Sequence, residues 1–244
     1  MKRTLWLGLA LAAMLLAVPV SATQPAPVLV ELFTSQGCSS CPPADAVLGE
    51  LAKRPEVLAL AFHVTYWDRL GWQDTLGDER FTQRQRAYAR FLGRGQLYTP
   101  QAVVAGQLDL VGSSRGQLLQ AVRTVVEHGQ ARLVGIGADG TVTLPALGDD
   151  EPATVWAAAW DDLQTVSIER GENGGRSIEY HNAVRWLEEL GSPGAAGLRV
   201  PVAELRRAGR SGVAVVVQRQ SDGKVLALGQ LRLTSPAAVP PAAG

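Results

Sequence analysis

The residues best suited to chemistry are Cys38 and Cys41, the only two cysteines of the chain, separated by Ser39-Ser40. A cysteine reacts as its thiolate, and two thiols this close can form, open and exchange a disulfide. Such a cross-link closes a very short loop, worth about 2 kcal/mol in the chain-entropy model against roughly 3 for a fifteen-residue loop. That is a weak staple for 244 residues, whereas close spacing suits a pair that opens and closes; a static disulfide is the alternative. A closed zinc site needs four ligands. The chain adds only His63, His128 and His181, at no ligand spacing. Soft thiolates with an imidazole suit Cu(I), so the alternative function is a binding protein, for copper through Cys38, Cys41 and His63 or for a partner through the second half of the chain, with the CxxC as an accessory. Thiol exchange itself requires no cofactor, and no metal ligand is assigned.

The elements around the pair place it. Val28 to Phe33 is apolar except for Glu31 and predicts a buried strand. A polar connection, Thr34 to Gly37, leads to a helix whose apolar face is Ala44, Val47, Leu48 and Leu51, with Pro42 and Pro43 in its first turn. Cys38 then lies between strand and helix, where unpaired N–H groups and the helix dipole favour an anion. It is expected to be the more exposed and more acidic thiol, with Cys41 one turn on to resolve a mixed disulfide. A strand over Val57–Val64, a helix over Glu79–Leu92, two short strands over Gln101–Ala105 and Leu108–Val111 and a helix begun by a Ser114/Gln117 capping box complete the order β-α-β-α-β-β-α.

Other residues carry second-rank expectations. Glu31, the only charge in its strand, could relay a proton to the cysteines, or could be a hydrogen-bonded acid holding the adjacent loop. Tyr66, Trp67 and Trp72 fall in a polar stretch, Thr65 to Asp78, where aromatics form a partner-binding rim or simply pack. Arg84 and Arg86 predict a solvated helix face. Thr99-Pro100 precedes a strand. In the second half, Glu172, Asn173, Tyr180, His181, Asn182 and Arg185 form a polar cluster around Gly171, Gly174 and Gly175, either a ligand-binding loop or a self-capped turn.

After His128 the pattern changes to strand-like runs: Arg132–Ala138, Thr141–Leu144, Ala153–Trp160, Gln164–Arg170, Arg199–Val202, Val213–Arg219 and Val225–Leu233. Glu179 to Leu190 fits a strand or a short helix. The expected organisation is α/β: a signal peptide over 1–22, an α/β domain over 23–130, a β-rich, sandwich-like domain over 131–234 and a Pro/Ala-rich disordered tail over 235–244. Lys2 and Arg3, the apolar run Leu5–Val18 and Val20-Ser21-Ala22 predict export to the periplasm or beyond, with no membrane insertion after cleavage. Hydrophobic residues make up 46% and the formal charge is zero. A sizeable core is available, and no basic stripe points to nucleic acid.

The segment order, the CxxC at a helix start and the later Thr99-Pro100 resemble the thioredoxin superfamily. That resemblance implies a cis Thr99–Pro100 bond facing the cysteines, with Thr99 and Pro100 presenting backbone to a docking partner that bears a thiol or disulfide. Gly37 and Ser39-Ser40 depart from the tryptophan and Gly-Pro usual there, which implies a narrower partner. A closer resemblance is to the DUF1223 family of exported bacterial proteins. It rests on Glu31 to Asp45, His63-Val64-x-Tyr66-Trp67-Asp68, Gly71-Trp72-x-Asp74, Arg84-Gln85-Arg86-x-Tyr88, Tyr98-Thr99-Pro100-Gln101, Gly171-Glu172-Asn173 and Asn182-x-Val184-Arg185.

Overall fold

The computed structural model describes residues 26–129, 131–147 and 152–233; the expected signal peptide and tail lie outside them. The chain is mixed α/β, with one large sheet and few helices. Strand β1 (Val28–Thr34) is buried along its whole length because both faces are covered. Val28, Val30 and Leu32 meet helices α1 (Pro42–Leu51) and α3 (Arg115–His128), while Leu29 and Phe33 point the other way, towards α2 (Glu79–Phe91). The alternation is the two-residue period of a strand. Beside β1 run β2 (Val57–His63), parallel, and β3 (Gln101–Val104), antiparallel, with β4 (Leu108–Val111) outermost.

The second half continues the same sheet. After β5 (Arg132–Leu133) and a separate pair, β6 (Gly135–Ile136) with β7 (Val142–Thr143), come β8 (Ala153–Ile168) and β9 (Arg176–Gly191), one long antiparallel hairpin. Helix α4 (Val202–Arg207) and strands β10 (Gly212–Arg219) and β11 (Val225–Arg232) follow. The nine-stranded order is β4-β3-β1-β2-β9-β8-β10-β11-β5, joined between halves by Ala61 of β2 facing Ala183 of β9. One apolar cluster draws on both halves: Leu60, Phe62 and Phe81 pack with Trp160, Val184 and Val216. At Gly106 a side chain would meet the Gly223 carbonyl 2.0 Å away, so the β3–β4 turn rests directly on the β10–β11 turn.

Several expectations are revised in detail. Two strands expected over 153–170 are one, with a bulge at Ala159/Trp160. Glu179 to Leu190 is strand. Arg199 makes only an isolated bridge to Thr141, and the chain turns into α4, whose Val202 and Leu205 are buried one turn apart. Ser114 precedes α3 without capping it through its side chain. Among the described residues no helix is long and apolar enough to cross a membrane.

Candidate functional site: the cysteine corner

Where β1 ends, Ser35 to Cys41 forms a tight loop held by its own backbone: the Cys38 amide donates to the Ser35 carbonyl at 3.1 Å and the Cys41 amide to the Cys38 carbonyl at 3.2 Å. Pro42 and Pro43 then open α1, where a missing N–H costs nothing. Cys38 and Cys41 are joined by a disulfide, with Cα atoms 5.4 Å apart. Both are buried, at 1% and 0% exposure, so in this oxidised state exposure does not distinguish them as expected.

Two groups of side chains close the corner. On one side the Thr99 hydroxyl donates to Cys38 Sγ at 3.2 Å and accepts from the Trp67 indole at 2.7 Å. The Thr99–Pro100 bond is cis. On the other side stands the tip of the β8–β9 hairpin. The Asn173 amide donates to the carbonyls of Gln36 (3.0 Å) and Cys38 (2.9 Å), and a Glu172 carboxylate oxygen accepts from the Ser39 amide at 3.2 Å. The Trp72 indole donates to the Gln36 side-chain carbonyl at 2.7 Å, so Trp72 braces the loop. Trp67 and Trp72 are both half-buried, each hydrogen-bonded to a residue that touches the cysteine loop.

On the buried side lies a second polar group. His63 Nδ1 and Asp74 Oδ2 are 2.8 Å apart, and the same Asp74 oxygen accepts from the Gln36 amide at 2.8 Å. Burial works to raise the Asp74 carboxyl, but His63 and the amides of Gln36 and Leu76 outweigh it and hold it below the usual range. Asp45 sits in α1 with its amide on the Cys41 carbonyl at 3.1 Å. Burial pushes its carboxyl up to about 7 against the opposing pull of His63. The Thr34 hydroxyl faces the Asp45 carboxyl and works to lower it, while His63 Nε2 and the Tyr180 hydroxyl, both enclosed, have no hydrogen-bond partner in the protein. The His63 and Tyr180 rings meet edge to face, 4.7 Å between centroids.

Glu31 is elsewhere. It shares a strand face with Leu29 and Phe33, so it points at α2, where Arg84 Nε and the Tyr88 hydroxyl each donate to one of its oxygens. Arg84 is therefore buried rather than solvated, its guanidinium lying over the rings of Phe62, Tyr88 and Trp156. Its helix face is covered by β8, which sequence periodicity alone did not place there. His63 is committed to Asp74, and among the described residues no group of three or more His, Cys, Asp or Glu is arranged to hold a metal ion.

The residues that sequence reasoning did not join to the cysteines are Asn173, Glu172, Gln36 and Asp45. Asp45 carried a signal, a lone acid on an otherwise apolar face of α1 next to Ala44, Val47 and Leu48. Asn173 and Glu172 were visible as a polar cluster more than a hundred residues away, with nothing local to say what they touch.

Two solved structures resemble this one. A crystal structure of a protein from Agrobacterium tumefaciens matches with a TM-score of 0.73 and 28% identity, over 89% of this chain and 99% of that one. HBP35 of Porphyromonas gingivalis matches with a TM-score of 0.54 and 14% identity, over 88% of this chain and 78% of that one, a likeness of fold alone. No curated protein matches the chain. The model of the family described as protein of unknown function DUF1223 matches residues 29–218, and the chain belongs to that family.

Proposed function

We propose that this is an exported, thioredoxin-like protein that exchanges thiols and disulfides with a protein partner through Cys38 and Cys41. The observation that carries the reading is the corner itself: a disulfide at the start of α1 whose first sulfur accepts a hydrogen bond from Thr99, the residue before Pro100, at 3.2 Å. The N-terminal pattern of Lys2, Arg3 and an apolar run supports export, to a compartment where disulfides persist.

In the oxidising direction a partner thiolate attacks Cys38 Sγ. The Cys38–Cys41 bond breaks, a mixed disulfide forms on Cys38, and Cys41 leaves as a thiolate with the bonding pair. We assign Asp45 as the acid that protonates it. Its carboxyl is raised to about 7 by burial, so it holds a proton over part of the physiological range, and it follows Cys41 by one helical turn. A second thiolate of the same partner then attacks the partner's sulfur and releases Cys38 as a thiolate. The partner is oxidised by two electrons and the pair reduced; the reverse sequence reduces a partner disulfide. Asp45 takes the role that the sequence suggested for Glu31, whose oxygens are both engaged by Arg84 and Tyr88.

A Cys41→Ser variant has no disulfide to offer and enters the reverse sequence: the Cys38 thiolate attacks a partner disulfide, one partner sulfur leaves as a thiolate, and without Cys41 the mixed disulfide is not resolved. Expressed in the native compartment, the variant is expected to carry a protein on Cys38 that dithiothreitol releases. Recovery of a free Cys38 with no adduct under oxidising conditions sinks the reading.

A further inference from the structure

The Gly171-Glu172-Asn173 segment belongs to the second half of the chain, yet its side chains end on the cysteine loop. Asn173 is 1% exposed, and its amide bridges the carbonyls of Gln36 and Cys38. Its own oxygen accepts from Arg176 Nη1 at 2.9 Å, which fixes the amide's orientation. Glu172 beside it is exposed, except that one oxygen rests on the Ser39 amide. That amide follows Cys38 directly and lies just before α1. It is the backbone donor that follows the sulfur-bearing residue; α1 itself opens with Pro42 and Pro43, which have no N–H, and the Ala44 and Asp45 amides are taken by the Cys41 carbonyl. Gly171, with φ +77°, brings the tip within contact of Trp72, where an added side-chain carbon would lie 3.2 Å from Trp72 Cβ.

We infer that the tip of the β8–β9 hairpin sets the acidity of Cys38, and through it the redox potential of the pair: Glu172 is the resident anion on the Ser39 amide, and Asn173 is the latch that keeps it there. This rests on the exchange reading above and adds to it a positioning role for two residues. The physical basis is competition. When the disulfide is reduced, a thiolate on Cys38 stands next to the Ser39 amide that Glu172 already occupies, and the two negative charges repel. Of the other charged groups around the corner, Arg176 keeps its positive charge beside the neutral Asn173 amide and works against Glu172, Asp74 is bound to Gln36 and His63, and Asp45 lies on the buried side; all three are the same in the Glu172 variants. Glu172 is the anion hydrogen-bonded to the amide next to Cys38. Its repulsion disfavours the reduced form and makes the pair more reducing.

The test is a Glu172→Gln substitution, at an exposed position where folding is not at risk. In a Cys41→Ser background the one remaining thiol is titrated by the ultraviolet absorbance of its thiolate. We expect the Cys38 pKa to fall by about one unit in Glu172→Gln and to stay near wild type in Glu172→Asp. Asn173→Ala, by releasing Glu172, should move it the same way. With both cysteines present, the equilibrium with glutathione should shift towards the dithiol by up to about tenfold, or about 30 mV. If Glu172→Gln titrates as wild type does, the inference is wrong, whatever the exchange activity. If instead the wild-type pair does not equilibrate with glutathione at all, the exchange reading falls, and the titration still decides the role of Glu172.

Discussion

Two buried polar groups lie on opposite faces of the sheet, and they are built on different principles. On the α2 side, Glu31, Arg84, Tyr88 and Gln218 close on one another: Arg84 and Tyr88 donate to Glu31, and the Gln218 amide donates to Tyr88 at 3.0 Å and to the Gly223 carbonyl at 2.7 Å. On the α1 side, beneath the cysteines, the Asp45 carboxyl has only Thr34 as a hydrogen-bonding neighbour, and His63 Nε2 and the Tyr180 hydroxyl are enclosed without a protein partner. A satisfied network holds elements together, here α2 to both halves of the sheet. An unsatisfied one costs stability, and a protein retains such a cost where the groups must change their protonation or their partners. On the proposed reading the first cluster holds the structure and the second serves the exchange, although Glu31 is the acid that stands out in the sequence.

The comparison breaks most easily at Glu31. Glu31→Leu removes the anion that compensates Arg84 inside the core, between the rings of Tyr88 and Trp156. Stranding a buried charge costs about 3–5 kcal/mol. Urea unfolding should show that loss, while the equilibrium of the cysteine pair with glutathione stays at its wild-type position in the fraction that remains folded. A shift in that equilibrium would return Glu31 to the exchange site.

How much of this was legible beforehand follows from range. The order of β1, α1, β2, α2, β3, β4 and α3 could be read because each element's own period announces it. Glu31's direction was also available, since it shares parity with Leu29 and Phe33 while Val30 and Leu32 face α1. Long-range pairing was out of reach. Nothing near Asn173 says that its amide will end on the carbonyl of Cys38, and nothing in α2 says that Trp156 will cover Arg84. The joining of the two halves turns on one pair, Ala61 with Ala183, of the least informative residue type.

The second cluster is probed through pH. Burial lifts the Asp45 carboxyl from its ordinary value near 3.8 to about 7. The unfolded chain therefore releases this proton at a lower pH than the folded one, and between those values the folded state binds more protons. Stability then falls as pH rises through that window. From pH 5 to pH 8 the Asp45 contribution is a loss of about 2–3 kcal/mol. Asp45→Asn, which does not titrate, should flatten that fall in denaturant unfolding followed across pH, and should slow reduction of the disulfide near neutrality if Asp45 supplies the proton to Cys41. An unchanged pH profile of stability would mean that the Asp45 site is less closed to solvent than its burial indicates.

The smallest effect sharpens the comparison at the sulfur itself. Thr99 makes two hydrogen bonds with one oxygen, donating to Cys38 Sγ and accepting from Trp67 Nε1. Thr99→Val keeps the shape and loses both. The half-buried position lets water replace part of what is lost, so stability should drop by about 1 kcal/mol. The thiol should respond in a definite direction. A hydroxyl that donates to sulfur stabilises the charged form more than the neutral one, so its removal raises the Cys38 pKa. Thr99→Ser, which keeps the donor, should leave it in place. The sign is opposite to that expected for Glu172→Gln, because Thr99 gives a proton's partial charge to the sulfur while Glu172 sets a negative charge against it. Titrating both variants side by side therefore separates a real electrostatic balance at Cys38 from a general loosening of the corner, which would move the two in the same direction.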